Sequence, residues 1–163
     1  MQCSTVIALR GVGESGKTTS LRRVWRKLNA RPGIQMIARG RGTREIMGGV
    51  LKVDGVLVGF MTKSEPASML AEVLDSLIEF GCTVLVCATR SKDRTKRRGS
   101  LRVVRNLRAR GWLVRWVDKH RDWPNEEEQG NRKCAAKTIR EILAAVKRAL
   151  PAKGRQRILT AAC

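Results

Sequence analysis

Val6-Ile7-Ala8-Leu9-Arg10-Gly11-Val12-Gly13-Glu14-Ser15-Gly16-Lys17-Thr18-Thr19 is the stretch on which the reading of this chain turns. Its apolar run, Val6 to Leu9, shows no alternation and so predicts a strand buried on both faces, as in a parallel sheet. Gly11 to Thr18 then satisfies GxxxxGK(S/T) at every fixed position. From Thr18 to Leu28 the spacing predicts a helix, with Leu21, Val24, Trp25 and Leu28 on one face and Arg22, Arg23, Arg26 and Lys27 on the other. Strand, glycine-rich loop and helix in that order make a phosphate-binding loop. Glycines let the backbone curl so that successive N–H groups converge on an anion, and the helix N-terminus adds partial positive charge. Lys17 is expected to reach the β- and γ-phosphates of a nucleoside triphosphate, and the Thr18 hydroxyl to bind Mg²⁺. Gly11, Gly13, Glu14, Ser15, Gly16, Lys17, Thr18 and Thr19 are thus the candidate nucleotide-binding residues. The bland reading is a strand-to-helix turn with no ligand. Glu14 is the odd member, since a carboxylate beside a phosphate is tolerable only when it points to solvent.

Outward from this motif the chain alternates strands and helices. Ile34 to Ala38 reads as a strand, and residues 45–62 as a β-hairpin turning at Asp54-Gly55, a preferred type I′ pair. Ala67 to Phe80 carries a helical stripe of Met69, Leu70, Val73, Leu74, Leu77 and Ile78. Thr83 to Ala88 is a second buried strand. Ser100 is expected to cap a helix ending near Arg110, Trp112 to Val117 to form a further strand, and Arg132 to Leu150 the last helix. Such alternation predicts an α/β sandwich around a mostly parallel sheet, with the hairpin as its antiparallel element. One domain is expected over residues 1–150, followed by a basic, disordered tail over 151–163.

Lys and Arg number 34 against 14 Asp and Glu, a formal charge of +20. Charge of that size points to a polyanionic partner, nucleic acid above all. An anionic membrane is the rival, but no apolar run approaches the roughly 18 residues of a spanning helix, and nothing resembles a signal peptide. Five scattered cysteines without a CxxC pair, and one histidine, argue against zinc and against a disulfide framework. The expectation is a reduced, cytoplasmic protein, with Cys82 and Cys87 acting as small apolar residues.

In parallel α/β sheets ligands sit beyond the carboxyl ends of the strands. That rule selects Glu65, Thr89-Arg90 and Asp118-Lys119-His120, and it brings Arg39 to Glu45 back towards the same end. A carboxylate is needed near the phosphates to organise Mg²⁺ or accept a proton, yet the strand at 83–88 runs into Thr89-Arg90 rather than an acid. Glu65 is the first choice for that role, catalytic and metal-organising, and Asp118 the second. Either could instead be a helix-capping or surface carboxylate. Arg90 is assigned to neutralise transferred charge. From Arg90 to Arg121 there are 13 basic residues against Asp93 and Asp118, whereas a merely solvated face interleaves both signs. Arg39, Arg41, Arg44, Arg94, Lys96, Arg97, Arg98, Arg102 and Arg105 are the candidate nucleic-acid contacts, although some could belong to a lid over the triphosphate. Trp123 could stack on a base.

Three segments together resemble the P-loop kinases, and more loosely the small phage-type proteins of that superfamily. They are Val6 to Thr19, the hairpin end Gly59-Phe60-Met61-Thr62-Lys63-Ser64-Glu65, and Val84-Leu85-Val86-Cys87-Ala88-Thr89-Arg90. The resemblance spans about the first hundred residues and is specific at the phosphate loop. It implies a P-loop NTPase-like three-layer sandwich, ATP, Mg²⁺ and a general base near the loop. Within the superfamily, a phage-type kinase of hydroxymethylated pyrimidines such as 5-hydroxymethyluridine in DNA would account for both the loop and the basic surplus, in the host cytoplasm. Two other functions fit the same residues: a nucleotide-dependent nucleic-acid-binding ATPase or switch, and a kinase of free nucleosides or nucleotides.

Overall fold

A computed structural model describes residues 4–39, 48–63, 66–91, 99–120 and 125–150. Strand β1 (Thr5–Gly11) leads through the glycine-rich loop into α1 (Lys17–Asn29). Strands β2 (Gln35–Arg39), β3 (Gly48–Val53) and β4 (Val56–Met61) follow, then α2 (Ala67–Glu79) and β5 (Val84–Arg90). Helix α3 (Ser100–Ala109), β6 (Leu113–Asp118) and α4 (Glu127–Ala149) complete the described elements. The strands form one sheet in the order β2-β3-β4-β5-β1-β6. β4, β5, β1 and β6 run parallel to their neighbours, while β3 is antiparallel to both β2 and β4. The chain is therefore α/β with a mostly parallel sheet, and the antiparallel part is a three-strand meander rather than an isolated hairpin. Its β3–β4 turn is as expected, with Asp54 and Gly55 both in the left-handed region (φ 49° and 85°).

Helices cover both faces. On one, Ile7, Leu9, Val84 and Val86 pack with Leu21, Val24 and Leu28 of α1 and Ile139, Ile142 and Val146 of α4. On the other, Val6, Ala8, Leu85 and Cys87 meet Leu70 and Leu74 of α2 and Val104 and Leu107 of α3. Successive residues of β1 thus go to opposite cores, which is why Val6 to Leu9 must be apolar throughout. Burial pushes the thiol of Cys82 up to about 11 and that of Cys87 up to about 12, so both behave as apolar core residues. Among the described residues no helix is long and apolar enough to cross a membrane.

Several expectations need correction. Helix α4 begins at Glu127, five residues before Arg132. Glu127 and Glu128 favour a first helical turn through the helix dipole, and that preference outweighs Gly130. Ser100 is the first residue of α3 and Gly99 its N-cap. Met69, Val73 and Ile78 of the helical stripe are half-buried against the core, as is Trp116 of β6, whereas Trp112 is buried. Residues 151–163 lie outside the described residues.

Across the meander, Trp25 of α1 meets Phe60 of β4 edge to face, with ring centroids 5.2 Å apart and planes at 87°. Room for the indole exists because position 49 lacks a side chain. A Cβ there would lie 2.6 Å from Trp25 Cη2 and 2.7 Å from the Ala38 carbonyl. Gly49→Ala should therefore lower the unfolding free energy by about 1–3 kcal/mol, the usual cost of overpacking. The exposed neighbour substitution Lys52→Ala should stay within about 0.5 kcal/mol. Urea unfolding midpoints of the two variants check this.

Candidate functional site

The loop between β1 and α1 takes its shape from two left-handed residues, Glu14 (φ 55°) and Gly16 (φ 77°), separated by Ser15, which is not left-handed. Alternation of this kind makes a backbone concavity suited to anions. Gly16 is also the N-cap of α1. The first N–H groups of that helix have no intrahelical acceptor, so they are available at the concavity. Lys17 is only 8% exposed. Its Nζ donates to the carbonyls of Val12 (2.6 Å) and Gly11 (3.0 Å) and to Ser15 Oγ (3.4 Å), so the ammonium is drawn across the loop it belongs to. Ser15 Oγ in turn donates to the Val12 carbonyl at 2.9 Å. Glu14 is exposed and is itself among the residues that line the pocket over the loop.

A pocket of about 350 Å³ opens over this loop, lined by Gly13, Glu14, Ser15, Gly16, Lys17, Thr18 and Thr19 together with Arg90 and Glu127. Its size lies within the range of small-ligand sites. Seven of the eight candidate nucleotide-binding residues and the candidate Arg90 are thereby brought together. Gly11, the eighth, is buried below them and pairs with Arg90 in the β1–β5 ladder. Arg90 NH1 lies 3.8 Å from where a Cβ on Gly13 would be, so the guanidinium stands beside the loop. The backbone of Arg90 is pinned from behind. Its N–H donates to Ser100 Oγ at 3.0 Å, and Thr89 Oγ1 donates to the same oxygen at 3.2 Å.

On the third side, Thr18 Oγ1 donates to the Thr62 carbonyl at 3.4 Å, bringing the end of β4 against the loop. Glu65, three residues on, lies outside the described residues, as do Arg41, Arg44, Arg94, Lys96, Arg97, Arg98 and Trp123. Arg39 closes β2, which stands four strands from β1, about 19 Å at ordinary strand spacing. Arg102 and Arg105 are exposed on α3 and do not line the pocket. Neither does Asp118. It accepts a hydrogen bond from Arg10 Nε at 2.7 Å, and Arg10 lies 5.2 Å from the centre of the Trp116 ring. That hydrogen bond holds the Asp118 carboxyl below the usual carboxylate range, which weakens it as a base. Lys119 is buried, donates from Nζ to the His120 carbonyl at 3.1 Å, and continues the β6–β1 ladder through its N–H to the Arg10 carbonyl.

The chain matches no protein-family model, no curated protein and no solved structure.

Two residues of the site escaped the sequence reading. Glu127 reaches the pocket because α4 starts early, and the run Glu126-Glu127-Glu128 was the available signal, as acids gather in first turns. Asn131 is 2% exposed and packs its Oδ1 against Gly16 while accepting from Ser20 Oγ at 3.2 Å. Nothing local marks a contact between residues 111 positions apart. The packing of Asn131 on Gly16 makes position 16 doubly intolerant, since an alanine there would be strained at φ 77° and would run into Asn131 Oδ1. Removing Asn131 relieves the collision but not the strain. Gly16→Ala and Asn131→Ala should accordingly be less than additive, with a coupling of about 0.5–3 kcal/mol in a double-mutant cycle followed by denaturant unfolding.

Proposed function

We propose that this chain is a P-loop NTPase-like phosphotransferase, which binds ATP at Gly11–Thr18 and passes its γ-phosphoryl group to a hydroxyl carried by nucleic acid. The observation that carries the reading is the pocket itself, where the buried Lys17, Thr18, the left-handed loop and Arg90 face one volume. A buried ammonium, a guanidinium and a helix N-terminus around one concavity suit the spread negative charge of a transferring phosphoryl group. Hard oxygen donors beside them, the Thr18 hydroxyl and the Glu127 carboxylate, fit Mg²⁺, which takes one or two protein oxygens together with phosphates and water. Bound there, the ion would draw charge from the β- and γ-phosphate oxygens.

In this scheme Lys17 and the loop amides hold the β- and γ-phosphates, and Arg90 neutralises charge on the equatorial oxygens. Glu65 takes the proton of the acceptor hydroxyl as its oxygen attacks the γ-phosphorus. The bond from that phosphorus to the β–γ bridging oxygen breaks, and ADP leaves. A nucleic-acid acceptor is favoured by the formal charge of +20 and by Arg102, Arg105 and Arg108, exposed at three-residue steps along α3. Among nucleic-acid hydroxyls, the family resemblance favours a hydroxymethylated pyrimidine in DNA.

Incubation with γ-labelled ATP, Mg²⁺ and a DNA panel that includes hydroxymethylpyrimidine duplex, followed by nuclease digestion, tests the proposal. The expected product is label on an internal modified nucleotide, reduced at least about 100-fold by Lys17→Ala. Label on small nucleosides alone would replace the polymer acceptor. Inorganic phosphate with no labelled acceptor would replace transfer by hydrolysis.

A further inference from the structure

We propose that Glu127 is the carboxylate through which this pocket takes the divalent cation of a bound nucleoside triphosphate, a role that rests on the phosphate-site reading above. Helix α4 places Glu127 in the pocket, opposite in charge to Lys17 and Arg90. A carboxylate lining a site built for phosphates, as Glu127 and Glu14 both do, repels them at close range unless a cation stands between. The strand beside β1 supplies no such group, because β5 ends in Arg90, directly across from Gly11. Glu127 restores it from a different element.

The first turn of α4 is held where this role requires it. Glu128 accepts from Arg23 of α1 at 2.6 Å and from Arg132 at 3.1 Å. One turn further, Asn131 is wedged between Gly16 and Ser20. Glu128 is thus engaged by the clamp, whereas its neighbour Glu127 is among the residues lining the pocket. Among the described residues there is no cluster of three or more metal-ligating side chains. That sparse set suits an ion that arrives on the triphosphate and keeps most of its shell of phosphate and water, with Thr18 Oγ1 and Glu127 adding protein oxygens. The competing explanation for an acid at this position is its favourable interaction with the helix dipole. That explanation predicts an effect on helix stability and none on the ion.

Calorimetric titration of the full chain with ATP, in Mg²⁺ and separately in EDTA, separates the two. In the unsubstituted protein Mg²⁺ should tighten ATP binding by about 10–100-fold. Glu127→Gln should abolish most of that gain while leaving affinity in EDTA unchanged or higher, since a repulsive charge is gone. Glu127→Asp should recover part of the gain, and Glu126→Gln should behave as the unsubstituted chain. A full Mg²⁺ gain in Glu127→Gln overturns the assignment and leaves the phosphate site standing. An equal loss in Mg²⁺ and in EDTA overturns it in favour of a structural role. Failure of the unsubstituted chain to bind ATP in either buffer removes the phosphate-site reading, and this inference with it.

Discussion

The ammonium of Lys17 is buried within the loop that precedes it, and a buried charge must be met by polar groups or be neutralised. Here the Gly11 and Val12 carbonyls meet it, which obliges the chain to turn back on itself immediately after β1. Glu14 and Gly16 complete that reversal in left-handed conformations, and helix α1 then starts at Lys17 itself. The ammonium therefore organises the loop in the folded protein.

Around that centre the fold supplies walls from distant parts of the sequence. β5 lies directly beside β1, and Ser100 fixes its last two residues from the start of α3, so Arg90 is presented at the loop by a rigid strand end. α4 closes the other side through Asn131 and the Arg23–Glu128–Arg132 group. The sheet order explains why these elements converge. β1 stands between β5 and β6, and the carboxyl ends of all the parallel strands fall on the side of the loop. Asp118 ends β6 on that side too, but Arg10 engages it there.

Much of this was legible in the chain because the signals were local. An unbroken apolar run, a glycine loop of fixed spacing and a 3.6-residue stripe are all contained in Val6 to Leu28, and β1 and α1 stand within a residue or two of those expectations. The Asp54-Gly55 turn was equally local. The early start of α4 was hidden by Gly130 and a polar run, features that resemble a loop unless the helix dipole is weighed against them. The meander was half visible, since a strand at 35–39 reads the same whether it pairs in parallel or antiparallel fashion. Asn131 against Gly16 and Ser100 under Arg90 were not legible at all. They are tertiary contacts between ordinary polar residues, and only the assembled sheet brings them together.

The central claim is that the loop from Gly11 to Thr18 receives the phosphates of a nucleotide. Titration of ¹⁵N-labelled protein with ATP and Mg²⁺, followed by amide shifts in two-dimensional NMR, addresses it most directly. The account predicts the largest shifts at the amides of residues 13–19, downfield where N–H groups bond to phosphate oxygens, and smaller changes along α3. Saturable shifts confined to the arginine face of α3, with the loop amides unmoved, would contradict it.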